Sequence, residues 1–138
     1  MVGLVLVSHS RGVVEGIRDI VGQFGGTEVP VGLAGGTDDG RLGTSAPRIV
    51  EAIRSILGPD PANSDGVVIL LDFGSAGLSV SFALEELEPA ERAVVRVPDA
   101  PLVEGAFVAG VQASIGATLD EVADAAVSAS TMTKLPKD

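Results

Sequence analysis

Two short apolar runs, Val2–Val7 and Val67–Leu71, constrain this chain more than any other feature. Each is too short for a helix, and neither alternates with polar residues. Such a run suits a strand covered on both faces, which calls for a parallel sheet flanked by helices. The first run ends at Ser8-His9-Ser10-Arg11-Gly12 and the second at Asp72-Phe73-Gly74-Ser75. Two further strands are predicted over Glu28–Ala34, where Val29, Val31 and Leu33 alternate, and over Ala93–Val97, stopped by Pro98 and Pro101.

Helical spacing fills the intervals. Val13, Ile17, Ile20, Val21 and Phe24 recur by threes and fours before Gly25-Gly26 closes the segment. Ile49, Val50, Ile53, Ile56 and Leu57 do the same behind a cap at Thr44 or Ser45, with Pro47 tolerated in the first turn. A third helix over about Ala76–Leu87 has Leu78, Phe82 and Leu87 as its expected apolar side. A fourth has Val103, Ala106, Phe107, Gly110, Val111, Ser114 and Ile115 on one face. A last helix spans Leu119–Ser130. Strands alternating with helices predict an α/β fold, a single-domain three-layer sandwich. It has a mainly parallel, about four-stranded central sheet with helices on both faces. The domain is expected over residues 1–130, with a polar tail over 131–138.

Composition removes several classes of function. The 138 residues include no cysteine and one histidine, so disulfides, thiol chemistry and a two-histidine zinc site are excluded by count. A formal charge of −10 opposes nucleic acid and anionic membrane surfaces. The most lipid-like stretch, Leu102–Leu119, is interrupted by Glu104, Gln112 and glycines, and Met1–Val7 has no basic flank to make it a signal peptide. A cytoplasmic location is expected. The acidity is uneven: through Arg54 there are five arginines and six acids, which leaves four basic and thirteen acidic side chains beyond it.

Ligands of an open α/β sheet bind beyond the carboxyl ends of its strands, where helix N-termini favour anions. Three polar segments fall there: Ser8–Gly12, Gly35–Ser45 and Asp72–Ser75. His9, at a strand tip, has the chemistry of a nucleophile if a carboxylate fixes its tautomer. Asp72 is the natural carboxylate, and capping of the third helix is its alternative role, which Ser75 could take instead. Ser10, Arg11, Gly36, Thr37, Gly43, Thr44, Ser45, Gly74 and Ser75 make up the surrounding loops. Arg11 and Arg41 are the cations on them, available to a phosphate or simply solvated. The loop Gly35–Gly43 is rich in glycine, but no lysine precedes Lys134, so it is not a nucleotide-binding P-loop. Adjacent Asp38 and Asp39 read as solvated, and no metal or cofactor is expected. Glu85, Glu86, Glu88 and Glu91 read as a solvated face. Phosphoryl transfer from a protein donor, rather than from free ATP, fits this set.

The segments Val-Leu-Val-Ser-His-Ser, Gly-Gly-Thr-Asp-Asp, Leu-Gly-Thr-Ser, Leu-Leu-Asp-Phe-Gly-Ser-Ala and Ala-Pro-Leu-Val-Glu-Gly occur in that order along the chain. Together they resemble the DhaM family, phosphotransferase subunits of the phosphoenolpyruvate-dependent dihydroxyacetone kinases. Their first domain is similar to mannose-type IIA domains of the sugar phosphotransferase system. The resemblance implies that His9 is phosphorylated by the phosphocarrier HPr. The phosphoryl group would then pass to ADP on the DhaL subunit, which phosphorylates dihydroxyacetone bound to DhaK. It further implies that Asp72 orients His9, and that Gly36, Thr37, Thr44, Gly74 and Ser75 surround the site. A homodimer is implied as well. Some family members continue into fused HPr-like and enzyme I-like domains, which a chain ending at Asp138 would have to borrow from separate proteins.

Three other readings stay open at this point. Ser8-His9-Ser10-Arg11 imitates the first strand end of small tetrapyrrole metal chelatases, although no second histidine is present. A receiver-like module would use Asp72 as the phosphorylated group, although the acids that would hold magnesium after the first strand are missing. A regulatory IIA-like phosphoprotein would be phosphorylated on His9 without a kinase role.

Overall fold

The structure, a computed structural model, describes residues 1–137. Asp138, the last residue of the expected tail, lies outside the described residues. The elements are β1 (Gly3–Ser8), α1 (Arg11–Phe24), β2 (Val31–Gly35), α2 (Ala46–Leu57), β3 (Val67–Leu71), α3 (Gly74–Glu86), α4 (Pro89–Arg92), β4 (Val95–Arg96), α5 (Leu102–Ser114) and α6 (Leu119–Ser128). The sheet runs β2-β1-β3-β4 and every pairing is parallel. This is the expected α/β arrangement, with β1 and β3 as central neighbours.

Double burial of the central strands follows from two separate cores. Leu4, Leu6, Val68 and Leu70 face α1, α5 and α6. Val5, Val7, Val67 and Ile69 face α2 and α3. The apolar runs carry no polar alternation because neither face of these strands reaches water.

The edge strands are shorter than expected. β2 begins at Val31 rather than Glu28, because Pro30 has no N–H for the ladder, although its carbonyl still accepts from Leu4 at 2.8 Å. β4 is only Val95–Arg96. The chain from Pro89 to Arg92 winds into a helical turn with a capping box between Glu88 and Glu91, and the Val94 N–H returns to the Glu91 carbonyl.

Three helix faces differ from the spacing-based expectation. On α3 the buried residues are Ala76, Val80 and Ala83, with Leu87 at the helix end, whereas Leu78 and Phe82 are 67% and 59% exposed. The helix offers two periodic faces, and the smaller side chains let its backbone approach the sheet. On α5 the buried set is Leu102, Gly105, Ala106, Ala109, Gly110 and Ala113, so Val103 and Ile115 point outward. A Cβ on Gly110 would stand 2.9 Å from Val21 Cγ1, so a larger residue there would displace Val21 or push α1 away. On α1, Val14 replaces Val13 in the core beside Ile17 and Val21. Phe24 is exposed there, packed edge-on against Phe107 at 5.4 Å between ring centres.

Glu91 also departs from expectation, being buried rather than solvated. Arg54 on α2 donates to it through Nε at 2.9 Å and Nη2 at 3.1 Å, and the Glu88 N–H donates at 2.8 Å. The Arg54 guanidinium beside it outweighs burial and lowers its pKa. The pair joins α2 to the segment that closes the sheet. Because Arg54 is nearly half exposed, solvent screens its contribution. Replacing Glu91 by Ala should cost about 1–2 kcal/mol through lost cap and charged hydrogen bonds, measured as a lower urea midpoint.

Candidate active site

The strand order reverses between β1 and β3, because β1 leads outward to β2 on one side and β3 leads outward to β4 on the other. A crevice opens at such a point beyond the strand ends. The register sets Val7 beside Leu71, so Ser8 and His9 leave β1 as Asp72 leaves β3. The Asp72 N–H still donates to the Val7 carbonyl at 3.2 Å, which extends the ladder by one bond into the site.

Asp72 accepts from four donors. Its Oδ1 takes the His9 Nδ1–H at 3.0 Å and the Phe73 N–H at 2.7 Å. Its Oδ2 takes the Ser8 hydroxyl and the His9 N–H, each at 2.9 Å, with a longer approach of 3.2 Å from Nδ1. Burial alone would raise the Asp72 pKa. The hydrogen bonds from the backbone N–H groups of His9 and Phe73, the Ser8 hydroxyl and the His9 ring outweigh it, and the pKa is lowered. An ionised carboxylate only accepts, so the proton on the facing imidazole nitrogen belongs to Nδ1. Nε2 then holds a free lone pair, and the Ser75 hydroxyl donates to it at 3.0 Å. The ring leans against Phe73, with centres 5.2 Å apart and planes tilted by 50°.

Around this line the loops from β2 close on the tip of β1. Gly36 donates its N–H to the Ser8 carbonyl at 3.1 Å, and Gly43 donates to the His9 carbonyl at 2.9 Å. Gly36 has φ +76°, a conformation that L side chains rarely adopt, and a Cβ added there would stand 3.0 Å from the Arg41 carbonyl oxygen. Thr44 reaches the site indirectly, its hydroxyl 2.6 Å from that of Ser79, one helical turn beyond Ser75. Ser10 stands at the N-cap of α1, its N–H held by the Ser8 hydroxyl at 3.0 Å.

Other expected site residues serve their own loops. Ser45, rather than Thr44, caps α2 by accepting from the Arg48 N–H. Thr37 closes the turn to Arg41 through backbone and hydroxyl bonds. Arg11 pairs with Glu15 at 3.4 Å and Arg41 with Asp39 at 2.9 Å, both on the surface. Ser75 does not cap α3: the helix starts from Phe73 with no side-chain cap, and its first N–H groups stay open beside the imidazole. Ser8 and Phe73 were missed as site residues. Ser8 ends an apolar strand, and nothing in its neighbours tells a solvated hydroxyl from a buried one. The site itself is an open rim, and a broad groove of about 610 Å³ lies beside it, lined partly by Thr37, Leu42 and Thr44.

A family model described as the PTS system fructose IIA component, EIIA-man, matches residues 3–123. The chain is 39% identical to a Listeria innocua protein named PEP-dependent dihydroxyacetone kinase 2, phosphoryl donor subunit DhaM, over 88% of this chain and 94% of that one. It is 42% identical to an Escherichia coli phosphoryl donor subunit DhaM, over 88% of this chain but 25% of the relative. The chain therefore spans nearly the whole of one relative and about a quarter of the other. A crystal structure of an unknown-function protein, EF1359, superposes with a TM-score of 0.81 at 31% identity, covering 92% of this chain and 93% of that one. Among the described residues no helix is long and apolar enough to cross a membrane.

The lowered Asp72 pKa has a consequence for stability. The folded form releases its proton more readily than the unfolded one, so the contribution is present above the ordinary value of 3.8 and is lost as pH falls through the lowered one. Urea unfolding of Asp72→Asn from about pH 7 to about pH 2 should show lower stability at neutral pH and a flatter acid limb than the parent.

Proposed function

We propose a specific role for this chain, which belongs to the EIIA-man family of phosphotransferase-system IIA components. It is the phosphoryl carrier of a phosphoenolpyruvate-dependent dihydroxyacetone kinase. His9 takes the phosphoryl group from phospho-HPr and delivers it to ADP bound on a DhaL subunit, which serves dihydroxyacetone bound on DhaK. The observation that carries the reading is the Asp72–His9–Ser75 line, which leaves Nε2 as the one ring nitrogen with a free lone pair. The kinase system comes from what the relatives are named; the particular partners follow the family's role.

The chemistry at His9 is a transfer between nitrogens. Ser75 gives up its hydrogen bond to Nε2, and the lone pair attacks the donor's phosphorus in line. The new P–Nε2 bond forms as the donor's P–N bond breaks, and the donor ring keeps the electron pair. His9 retains its Nδ1–H throughout, so positive charge spreads over the ring as the lone pair is used. The Asp72 carboxylate lies 3.0 Å from that hydrogen-bearing nitrogen and stabilises the charge. The incoming phosphoryl oxygens meet the open N–H groups of Gly74 and Ser75 at the start of α3, where the helix dipole favours an anion. Delivery runs the same path: a β-phosphate oxygen of ADP attacks phosphorus, the P–Nε2 bond breaks, and the pair returns to Nε2. Positioning and charge stabilisation supply most of the rate.

An open rim suits this role. A small-molecule enzyme encloses its substrate, whereas a relay must meet two proteins at one face in turn. Each interface is expected to be small and transient, about 1,200 Å² or less. HPr and DhaL then compete for one surface. The reading includes a homodimer in the cytoplasm and uses no metal or cofactor of the chain's own.

Incubation with phosphoenolpyruvate, enzyme I and HPr should place an acid-labile, base-stable phosphate on the chain, and His9→Ala should abolish it. Adding a DhaL–ADP complex, DhaK and dihydroxyacetone should discharge it. A label that survives His9→Ala overturns the reading. Phosphate that stays on His9 with every partner present assigns the chain a regulatory role instead.

A further inference from the structure

We propose that Ser8 is a positioning residue for phosphoryl transfer, acting through Asp72 to hold the His9 ring in its Nδ1–H tautomer; the inference rests on the phosphocarrier reading. Ser8 ends β1 and is 1% exposed. Its hydroxyl donates to Asp72 Oδ2 at 2.9 Å and accepts the Ser10 N–H at 3.0 Å. A buried hydroxyl committed in both directions has no alternative partner to turn to, so its geometry is fixed.

That fixed donor matters because the other contact on the ring does not choose a tautomer. The Ser75 hydroxyl can donate to a bare Nε2 or accept from a protonated one, and at 3.0 Å either is geometrically allowed. Only the Asp72 side discriminates, since a carboxylate accepts and never donates. Its discrimination depends on the carboxylate plane. Oδ1 must face Nδ1 at 3.0 Å while Oδ2 is anchored elsewhere. Without the Ser8 hydroxyl, Oδ2 retains the His9 backbone N–H and the longer contact to Nδ1. Oδ1 likewise keeps the Phe73 N–H, so the carboxylate is held by backbone donors alone, its plane is less tightly fixed against Nδ1, and the alternative tautomer, whose Nε2 is protonated and cannot attack, gains population.

His9 is the only histidine in the chain, so ring ¹⁵N labelling gives one pair of signals. In the full chain, with the ring neutral, the parent should show a protonated Nδ1 and a bare Nε2. Ser8→Ala should move both signals toward the mean of two exchanging tautomers. It should also slow single-turnover phosphorylation by phospho-HPr by up to about twofold, in proportion to the tautomer population read from the ring signals, with the half-saturating donor concentration unchanged. Ser8→Cys fills similar space with a weak donor and should fall between the two; it also serves if the truncation unfolds the chain. Parent-like ring signals in the folded variants overturn the proposal even if the rate falls, because that loss would be structural. If phospho-HPr does not label the parent chain at all, the function proposed above fails, while the ring signals still judge the link from Ser8 to His9.

Discussion

Parallel pairing of β1 and β3 in one register is the constraint on which the site depends. Val7 sits beside Leu71, and the ladder continues through the Asp72 N–H to the Val7 carbonyl. This brings the end of one strand against the end of another more than sixty residues away. A slip of one residue would exchange the two core faces of the slipping strand and carry Asp72 away from the imidazole. The two cores, each filled by alternate residues of the same strands, make that slip costly. The His9–Asp72 geometry is therefore a by-product of the packing of valine, leucine and isoleucine several residues below it.

The strands were readable in the sequence because double burial leaves a strong mark. A strand covered on both sides has no polar position, and Val2–Val7 and Val67–Leu71 have none. His9 and Asp72 could be singled out because Asp72 directly follows one such run and His9 follows the other after Ser8 alone. Helix orientation was less readable. Leu78 and Phe82 look like a core face by size, yet Ala76, Val80 and Ala83 form the buried one. Hydropathy rewards large side chains, whereas close approach of a helix to a sheet favours small ones. The same conflict rotated the expected face of α5. Glu91 reads as solvated in the sequence because its partner, Arg54, lies on a different element thirty-seven residues away.

Electrostatics at the site is local. The chain carries −10 overall, yet Asp72 is surrounded by donors, and each loop around His9 offers N–H groups or hydroxyls. Arg11 and Arg41, the charged residues that looked most useful for an anion, are occupied by Glu15 and Asp39 on the surface. The groups that touch or adjoin the ring are the Ser75 hydroxyl and the uncapped start of α3 rather than fixed cations. For a relay this has a physical advantage. Two arginines clamped on a phosphoryl group would hold it strongly and slow its departure, whereas oriented neutral donors bind it without fixing it.

The two-residue length of β4 gives the sheet a taper. Four strands are joined at the end carrying Gly3 and Val67, while the ladder at the other end joins only β2, β1 and β3. The broad end receives the β4 segment braced by Arg54 and Glu91, and the narrow end carries the loops around His9 and Asp72. Exposed rim positions such as Leu42 can therefore change without disturbing the frame beneath, while Gly36, Gly43 and Asp72 stay fixed because they hold the tip of β1. A scaffold divided in this way can be refitted at those exposed positions with its histidine left where it is.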